Sequence, residues 1–136
     1  VQLEKLNEIN EKRIANAKFY DAMLADFSDY FSPFIDELNY VSYYGYPILI
    51  KENSRFSRLD LCLFLEENGI ETRPMMAGCL PDQPGYEDLN HRICGDLSTS
   101  RLIKDRAFFI GCHPNISRDD LNYVKSVFNS YIKKHI

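Results

Sequence analysis

The chain has 136 residues, of which 45% are hydrophobic and 13% aromatic, and this is enough apolar material for the core of one globular domain. Its formal net charge is -4 at pH 7, and its isoelectric point is about 5.3. Proteins that bind nucleic-acid phosphates generally carry a basic face, so we expect no nucleic-acid partner.

The features that report on the cellular compartment favour the cytoplasm. No apolar run approaches the roughly 20 residues that cross a bilayer, and the polar N-terminus has no features of a signal peptide. We therefore expect no membrane partner. The four cysteines, Cys62, Cys79, Cys94 and Cys112, are widely spaced and form no C-x-x-C pair, so we expect reduced thiols rather than a disulfide framework.

A long helix opens the chain. Apolar residues recur at steps of three and four from Leu3 to Phe27, which is the period of an amphipathic helix. At about 1.5 Å per residue this helix would reach about 35 Å, long enough to connect two domains. The pattern is already under way at Val1 with no capping residue before it, so we expect a domain cut from a longer protein. Ser32-Pro33 ends the pattern.

Strands and helices alternate through the rest of the chain. Ser57 with Asp60, and Ser117 with Asp120, have the spacing of helix capping boxes. The predicted strands are Pro47–Lys51, Ile70–Met75 and Ala107–Cys112, and the predicted helices are Arg58–Asn68, Tyr86–Arg92, Ser98–Asp105 capped by Ser98 or Thr99, and a final helix after Ser117. This order predicts an α+β fold: a small two-layer α/β sandwich over residues 31–136, preceded by a connector helix over residues 1–30.

Arg73 is the residue whose setting most favours a ligand. It stands between a strand-like tripeptide and Pro74, where its guanidinium can bind a carboxylate or phosphate as a bidentate fork. The alternative is a surface arginine paired with Glu71. The loop that follows carries Gly78 and several prolines, and loops of this composition face a site or solvent.

Other candidate chemistry is weaker. His91 and Cys94 have H-x-x-C spacing, and Cys112 is followed by His113, but neighbours on a strand point to opposite faces, which argues against a shared zinc ion. Cys112 with His113 is also a candidate nucleophile pair. The chain has no glycine motif for nucleotide phosphates. A cluster of tyrosines at 43, 44 and 46 is suited to stacking on a ring or, as we favour, to core packing.

Five collinear segments carry further information: Gly45 to Lys51, Gly69 to Pro74 followed by Ala77-Gly78, Gln83-Pro84, His91 to Leu97, and Phe108 to Pro114. Together they resemble the C-terminal domain of the pyridoxal-phosphate-dependent nucleotide-sugar aminotransferase and dehydratase family. The arginine loop and the Gly-Asp-Leu segment are most similar to the sugar 3-dehydrases of lipopolysaccharide biosynthesis. The resemblance covers nearly the whole chain, and its opening helix is similar to the connector between the family's large and small domains.

The resemblance implies a fold-type-I aminotransferase small domain that contributes no catalytic residue of its own. Pyridoxal 5'-phosphate or pyridoxamine 5'-phosphate would bind the full-length homodimeric enzyme, and none is expected on this chain alone, which would be inactive. The residue at the Schiff-base position, a lysine in the aminotransferases and a histidine in the 3-dehydrases, would lie outside the chain, so transamination and 3-dehydration both stay open.

The same resemblance implies where a nucleotide-sugar substrate would bind. Arg73 would hold its diphosphate or sugar, Gly78 and Gln83 would shape the loop, and His113 is a further candidate. The alternative from another class is a free-standing ligand-binding or regulatory module without catalysis.

Overall fold

The computed structural model describes residues 3–34, 41–76, 78–86 and 88–135. A single 3-10 turn at Leu3–Lys5 leads into the first helix. The helices are α1 (Leu6–Ala25), α2 (Arg58–Glu67), α3 (Ser98–Arg106) and α4 (Arg118–His135), and the strands are β1 (Phe31–Ser32), β2 (Gly45–Ile50), β3 (Thr72–Pro74) and β4 (Ala107–Gly111).

The four strands form one antiparallel sheet in the order β1-β2-β4-β3. The register aligns Tyr46 with Ile110 and Thr72 with Ile110, so these side chains share one face of the sheet. One residue further along each strand, Pro47 and Arg73 both oppose Phe109 and share the other face. We call these the core face and the outer face.

The core lies between the core face and the helices α1, α2 and α4. Residues that are nearly inaccessible to solvent come from each of these elements and form one apolar cluster: Tyr20, Phe31, Ile48, Leu61, Leu65, Phe108, Ile110 and Phe128. A sheet that buries one face under helices is a two-layer arrangement. The predicted α+β fold is therefore confirmed.

Two capping boxes predicted from the sequence are present. The Ser57 hydroxyl accepts from the Asp60 amide at 3.1 Å, and the Asp60 carboxylate accepts from the Ser57 amide at 3.2 Å, which begins α2. Ser117 and Asp120 make the equivalent pair at 3.1 and 2.9 Å before α4. Each box satisfies amides that have no partner inside the helix.

The predicted helix at Tyr86–Arg92 is wrong. Residues Pro84–Tyr86 form a 3-10 turn, and the described residues 88–92 are not helical. Leu89 is 55% exposed, so this segment presents no apolar stripe to the core. A short helix without such packing is unstable in water.

The cap of α3 also differs from the prediction of Ser98 or Thr99. The carboxylate of Asp96 accepts from the amide of Ser98 at 3.0 Å and from its hydroxyl at 2.9 Å. The intervening Leu97 adopts a left-handed conformation with φ of 57°. Asp96, two residues before the helix, therefore supplies the acceptor that the prediction placed on a helical residue.

Strand bounds shift by one to a few residues from those predicted. β2 begins at Gly45 rather than Pro47, and β3 is limited to Thr72–Pro74. Pro47 pairs with Phe109 of β4, and on the other side of β2 the described part of β1 reaches only Leu49 and Ile50, so Pro47 has a neighbouring strand on one side only. The two-residue strand β1 was not predicted.

Within the described ranges, no helix is both long and apolar enough to cross a bilayer.

Replacing Phe128 by alanine tests the core. Phe128 is 0% exposed and its ring centroid lies 6.0 Å from that of Phe31, so we expect Phe128→Ala to lower the free energy of unfolding by about 3–5 kcal/mol. Asn122→Ala, on the exposed side of the same helix, is the matched control and should change it by less than about 0.5 kcal/mol. Urea denaturation followed by circular dichroism measures both, and equal effects would contradict this core.

Candidate functional site

Arg73 projects from β3 on the outer face of the sheet. Its neighbour Thr72 is buried on the core face, where its hydroxyl donates to Glu66 at 2.5 Å, and alternation along the strand sends Arg73 the opposite way. The Arg73 guanidinium donates to Glu71 at 2.5 Å, and the two side chains are 65% and 72% exposed. Such a pair is held only weakly in water, so little opposes the transfer of Arg73 to another anion.

The surface around Arg73 is a shallow depression of about 460 Å³. Glu66, Gly69, Glu71 and Thr72 line it with Arg73. Glu71 is paired with Arg73 and Glu66 also lines the depression, so an added anion binds Arg73 favourably only when Arg73 leaves Glu71. The pairing with Glu71 is the alternative that the sequence left open, and a ligand role for Arg73 stays a prediction.

Aromatic side chains continue the outer face beside Arg73. The ring of Phe109 lies over Gly45, where a Cβ atom would come within 2.2 Å of the ring. Tyr44, 81% exposed, meets this ring edge-on at 6.4 Å between centroids. Tyr46 instead packs in the core against Tyr20. The tyrosine cluster is thus divided, with one member in the core, as favoured, and another on the outer face.

Gly78 lies in close contact with α3. Its φ is 44°, and a Cβ atom there would be 2.6 Å from the Cβ of Lys104. The next residue, Cys79, is 2% exposed, and two 3-10 turns follow at Leu80–Asp82 and Pro84–Tyr86. The segment predicted as an irregular loop is thus a pair of tight turns held on a helix, with half-buried Gln83 between them.

His113 lies away from Gly78. Gly78 contacts Lys104, and Lys104 lies close to the start of β4. The closeness is shown by Arg58, which donates to the carbonyl oxygens of both Lys104 and Ala107. His113 follows the end of the same strand, which spans about 13 Å at about 3.3 Å per residue. The four predicted substrate residues therefore do not form one cluster: Gly78 and Gln83 share a loop, while His113 stands at the other end of β4.

The contacts of His113 are those of a turn. Its Nδ1 accepts from the amide of Asn115 at 3.1 Å, and its carbonyl accepts from the side chain of Asn16 at 2.9 Å. Cys112 beside it is buried and His113 is exposed, so the two point apart, as alternation predicts. Burial raises the pKa of Cys112 to about 11, which keeps it a thiol. This is the setting of a structural cysteine rather than of a nucleophile.

The four cysteines are free thiols with different surroundings. Cys79 and Cys112 are buried, Cys62 is half-buried and Cys94 is exposed. The described part of the chain contains no group of three or more His, Cys, Asp or Glu side chains arranged to hold a metal ion.

Sequence reasoning missed Asp82, Arg101 and Lys104 as a group. They form an ion cluster between the loop and α3. Asp82 is separated from its partners by 19 and 22 residues, so no local pattern reveals the pairing. The placement of Arg101 and Lys104 three residues apart, on one side of a predicted helix, was the available signal.

Comparison with known proteins identifies the protein family of this two-layer domain. The chain matches the DegT/DnrJ/EryC1/StrS aminotransferase family over residues 1–129. It therefore belongs to that family, and the resemblance drawn from the sequence is confirmed.

Two curated relatives match nearly the whole chain. The lipopolysaccharide biosynthesis protein RfbH of Salmonella typhimurium is 34% identical over 131 residues, which are 96% of this chain and 30% of RfbH. The dTDP-4-dehydro-2,6-dideoxy-D-glucose 3-dehydratase of Saccharopolyspora spinosa is 27% identical over 133 residues, or 98% of this chain and 29% of that protein. The chain thus spans about 30% of the length of the relatives it matches.

Solved structures share the fold. The E. coli GDP-4-keto-6-deoxy-D-mannose-3-dehydratase with bound hydrated PLP superposes with a TM-score of 0.77 at 25% identity, covering 93% of this chain and 32% of that one. An aminotransferase from Psychrobacter cryohalolentis has a TM-score of 0.85 at 16% identity, covering 98% and 37%. At that identity the second likeness shows the fold alone.

The depression beside Arg73 does not fit pyridoxal phosphate. Its phosphate needs several convergent donors, such as the amides at a helix N-terminus or a glycine-rich turn. The depression beside Arg73 offers one guanidinium against Glu66 and Glu71 and is open to solvent. We therefore place no cofactor contact on these residues.

Adding one methyl group at Gly78 tests the close contact between the loop and α3. We expect Gly78→Ala to lower the free energy of unfolding by at least about 1 kcal/mol, because alanine is strained at positive φ and its methyl group meets the backbone of Lys104. Gly85→Ala is the control, since nothing lies within 4 Å of a Cβ there. Thermal unfolding of both variants measures the difference, and a Gly78 variant as stable as the Gly85 variant would show that the loop is not packed on α3.

Proposed function

We propose that this chain is the C-terminal small domain of an enzyme that uses pyridoxal or pyridoxamine phosphate and acts on a nucleotide-linked keto-sugar in lipopolysaccharide or deoxysugar biosynthesis. Membership of the family over residues 1–129 supports this reading. RfbH is named for lipopolysaccharide biosynthesis, and the relative from Saccharopolyspora spinosa is named a 3-dehydratase of a dTDP-linked keto-sugar. The reaction would be transamination or 3-dehydration, in a homodimer located in the cytoplasm.

The proposal divides the chain at about residue 30, with α1 as the connector and residues 31–136 as the small domain. Polar contacts fix the second half of α1 to the domain. Asn16 donates to the carbonyl of His113 at 2.9 Å, and Tyr20 donates to that of Gly111 at 3.1 Å. At the start of the helical segment Leu3 and Leu6 are 84% and 46% exposed. A helix anchored at one end, with two exposed leucines at its other end, suits a connector between domains.

A buried phenol strengthens this anchorage. Tyr46 donates its hydroxyl proton to the carboxylate of Asp21 on α1. Burial, together with this hydrogen bond, raises the pKa of Tyr46 well above its ordinary value, so the proton stays on the phenol. The domain and the second half of α1 would therefore move as one body in the proposed enzyme.

Arg73 is the residue that we assign to the substrate, and its position is the observation that carries the proposal. It stands on the outer face, exposed, and it pairs with the similarly exposed Glu71. A diphosphate carries more negative charge than one carboxylate and accepts a bidentate guanidinium, so it would displace Glu71. Gly78 and Gln83 would shape the adjoining loop, and His113, at the other end of β4 from Gly78, would be a further contact.

The reading frame around this chain tests the proposed context. We expect it to encode, ahead of Val1, a domain of about 200 or more residues with a lysine or histidine at the cofactor position. Sequencing the coding region measures this directly. A complete reading frame without such a domain would favour a free-standing binding module and would overturn the enzyme proposal.

Substitution of Arg73 tests the proposed substrate contact in the longer enzyme. We expect Arg73→Ala to raise KM for the nucleotide sugar about 10- to 100-fold through the loss of one charged hydrogen-bonding group. Arg73→Lys should recover only part of this, because an ammonium cannot bind as a planar fork. Arg92→Ala, another exposed arginine of the chain, is the control for loss of charge. An Arg73→Ala enzyme with unchanged KM and kcat would remove Arg73 from the substrate site.

A further inference from the structure

The loop from Gly78 to Tyr86 is tied to α3 by a cluster of three charged residues. Arg101 binds the Asp82 carboxylate through two nitrogens, with Nε 3.0 Å from Oδ2 and Nη2 3.1 Å from Oδ1. Lys104 adds a bond from Nζ to Oδ2 at 2.9 Å. Both oxygens of Asp82 are thus occupied by cations from successive turns of one helix. A bidentate, doubly paired carboxylate is stronger and more directional than a single surface ion pair.

The exposure of the three side chains agrees with this geometry. The side chain of Asp82 is 20% exposed, compared with 32% for Lys104 and 46% for Arg101. The second acid near Lys104, Asp105, is 3.8 Å away and 66% exposed. Asp82 is therefore the better partner for Lys104, and its side chain is less exposed to solvent than those of the two cations.

The remaining contacts of the loop converge on the same turns of α3. Gly78 meets the backbone of Lys104 so closely that no side chain fits between them. Arg101 also donates to the carbonyl of Asp96 at 3.2 Å, at the start of α3. One arginine thus links the loop to the cap of the helix that supports it.

We infer that Asp82, Arg101 and Lys104 form an ionic latch that holds the loop on α3 and positions Gly78 and Gln83 for the substrate. The substrate part rests on the proposed function, whereas the latch itself does not. Asp82 is a positioning residue here, since it acts through the loop backbone. The proposal adds these three side chains to the residues that determine substrate affinity.

The charge state of the latch is constant around neutral pH. Hydrogen bonds from Arg101, and then from Lys104, hold the pKa of Asp82 well below its usual range. A lowered folded-state pKa means that the contribution to stability is present above the ordinary carboxyl pKa and is lost only as pH falls through the folded value. Salt, rather than pH, should therefore weaken the latch under assay conditions.

Hydrogen exchange on this chain tests the latch without any substrate. Loop amides are bonded within the turns, Asp82 to the carbonyl of Cys79 at 3.2 Å and Gln83 to that of Leu80 at 3.0 Å. We expect Asp82→Asn to speed exchange at these amides about tenfold while leaving β4 unchanged. Asp26→Asn is the matched control, because Asp26 pairs with Lys125 at 2.7 Å on a distant exposed surface.

A second variant protects this test from a folding failure. Arg101→Gln should reproduce the effect of Asp82→Asn, and Arg101→Lys should recover part of the protection because it keeps one charge. Unchanged exchange in the loop of both Asp82→Asn and Arg101→Gln would overturn the latch.

Kinetics of the longer enzyme test the positioning role. We expect Asp82→Asn to raise KM for the nucleotide sugar several-fold and to leave kcat within about twofold of the wild-type value. Raising the salt concentration from about 0.05 M to about 1 M should raise the KM of the wild-type enzyme more than the KM of the variant. A loosened loop with unchanged KM would overturn the positioning role. An Arg73→Ala enzyme with normal kinetics would instead count against the proposed function. The hydrogen-exchange result would still show whether the ion cluster holds the loop on α3.

Discussion

The alternation of side chains along β4 is the constraint on which the rest of the structure depends. β4 pairs with β2 on one side and β3 on the other. Its register with each strand therefore determines which side chains of β2 and β3 lie on the core face and which on the outer face. Phe108 and Ile110 are buried on the core face, and Phe109 between them stands on the outer face. A slip of one residue in the pairing of β3 with β4 would turn Arg73 toward the core face, and the cost of burying its charge opposes this.

Because of this alternation, the residues that stabilise the fold and the residues proposed to bind a ligand lie on opposite faces of the sheet. The core face, with α1, α2 and α4, contains the large buried side chains and the inert thiol of Cys112. The outer face and the adjoining loop contain the exposed arginine, the exposed Tyr44 and the ion cluster of Asp82. In the proposed enzyme, substitutions on the outer face would therefore change ligand binding while the core stays intact, which is the usual division between a scaffold and the loops it supports.

Local features of the structure could be predicted from the sequence, and features that depend on distant pairing could not. The capping boxes at Ser57 and Ser117 are set by residues three apart, so the sequence alone predicted them. The short helix expected at Tyr86–Arg92 had no core surface to pack on, and its absence shows how tertiary contacts decide marginal segments. The pairing of Asp82 with α3, and the contact of the His113 carbonyl with Asn16, both depend on chain segments that meet only after folding.

The central claim is that the outer face at Arg73 meets the substrate. The most direct test is a crystal structure of the longer enzyme with a nucleotide sugar bound. The account predicts that the Arg73 guanidinium leaves Glu71 and lies about 3 Å from a phosphate or sugar oxygen of the substrate. A substrate bound elsewhere, with Arg73 still paired to Glu71, would contradict it.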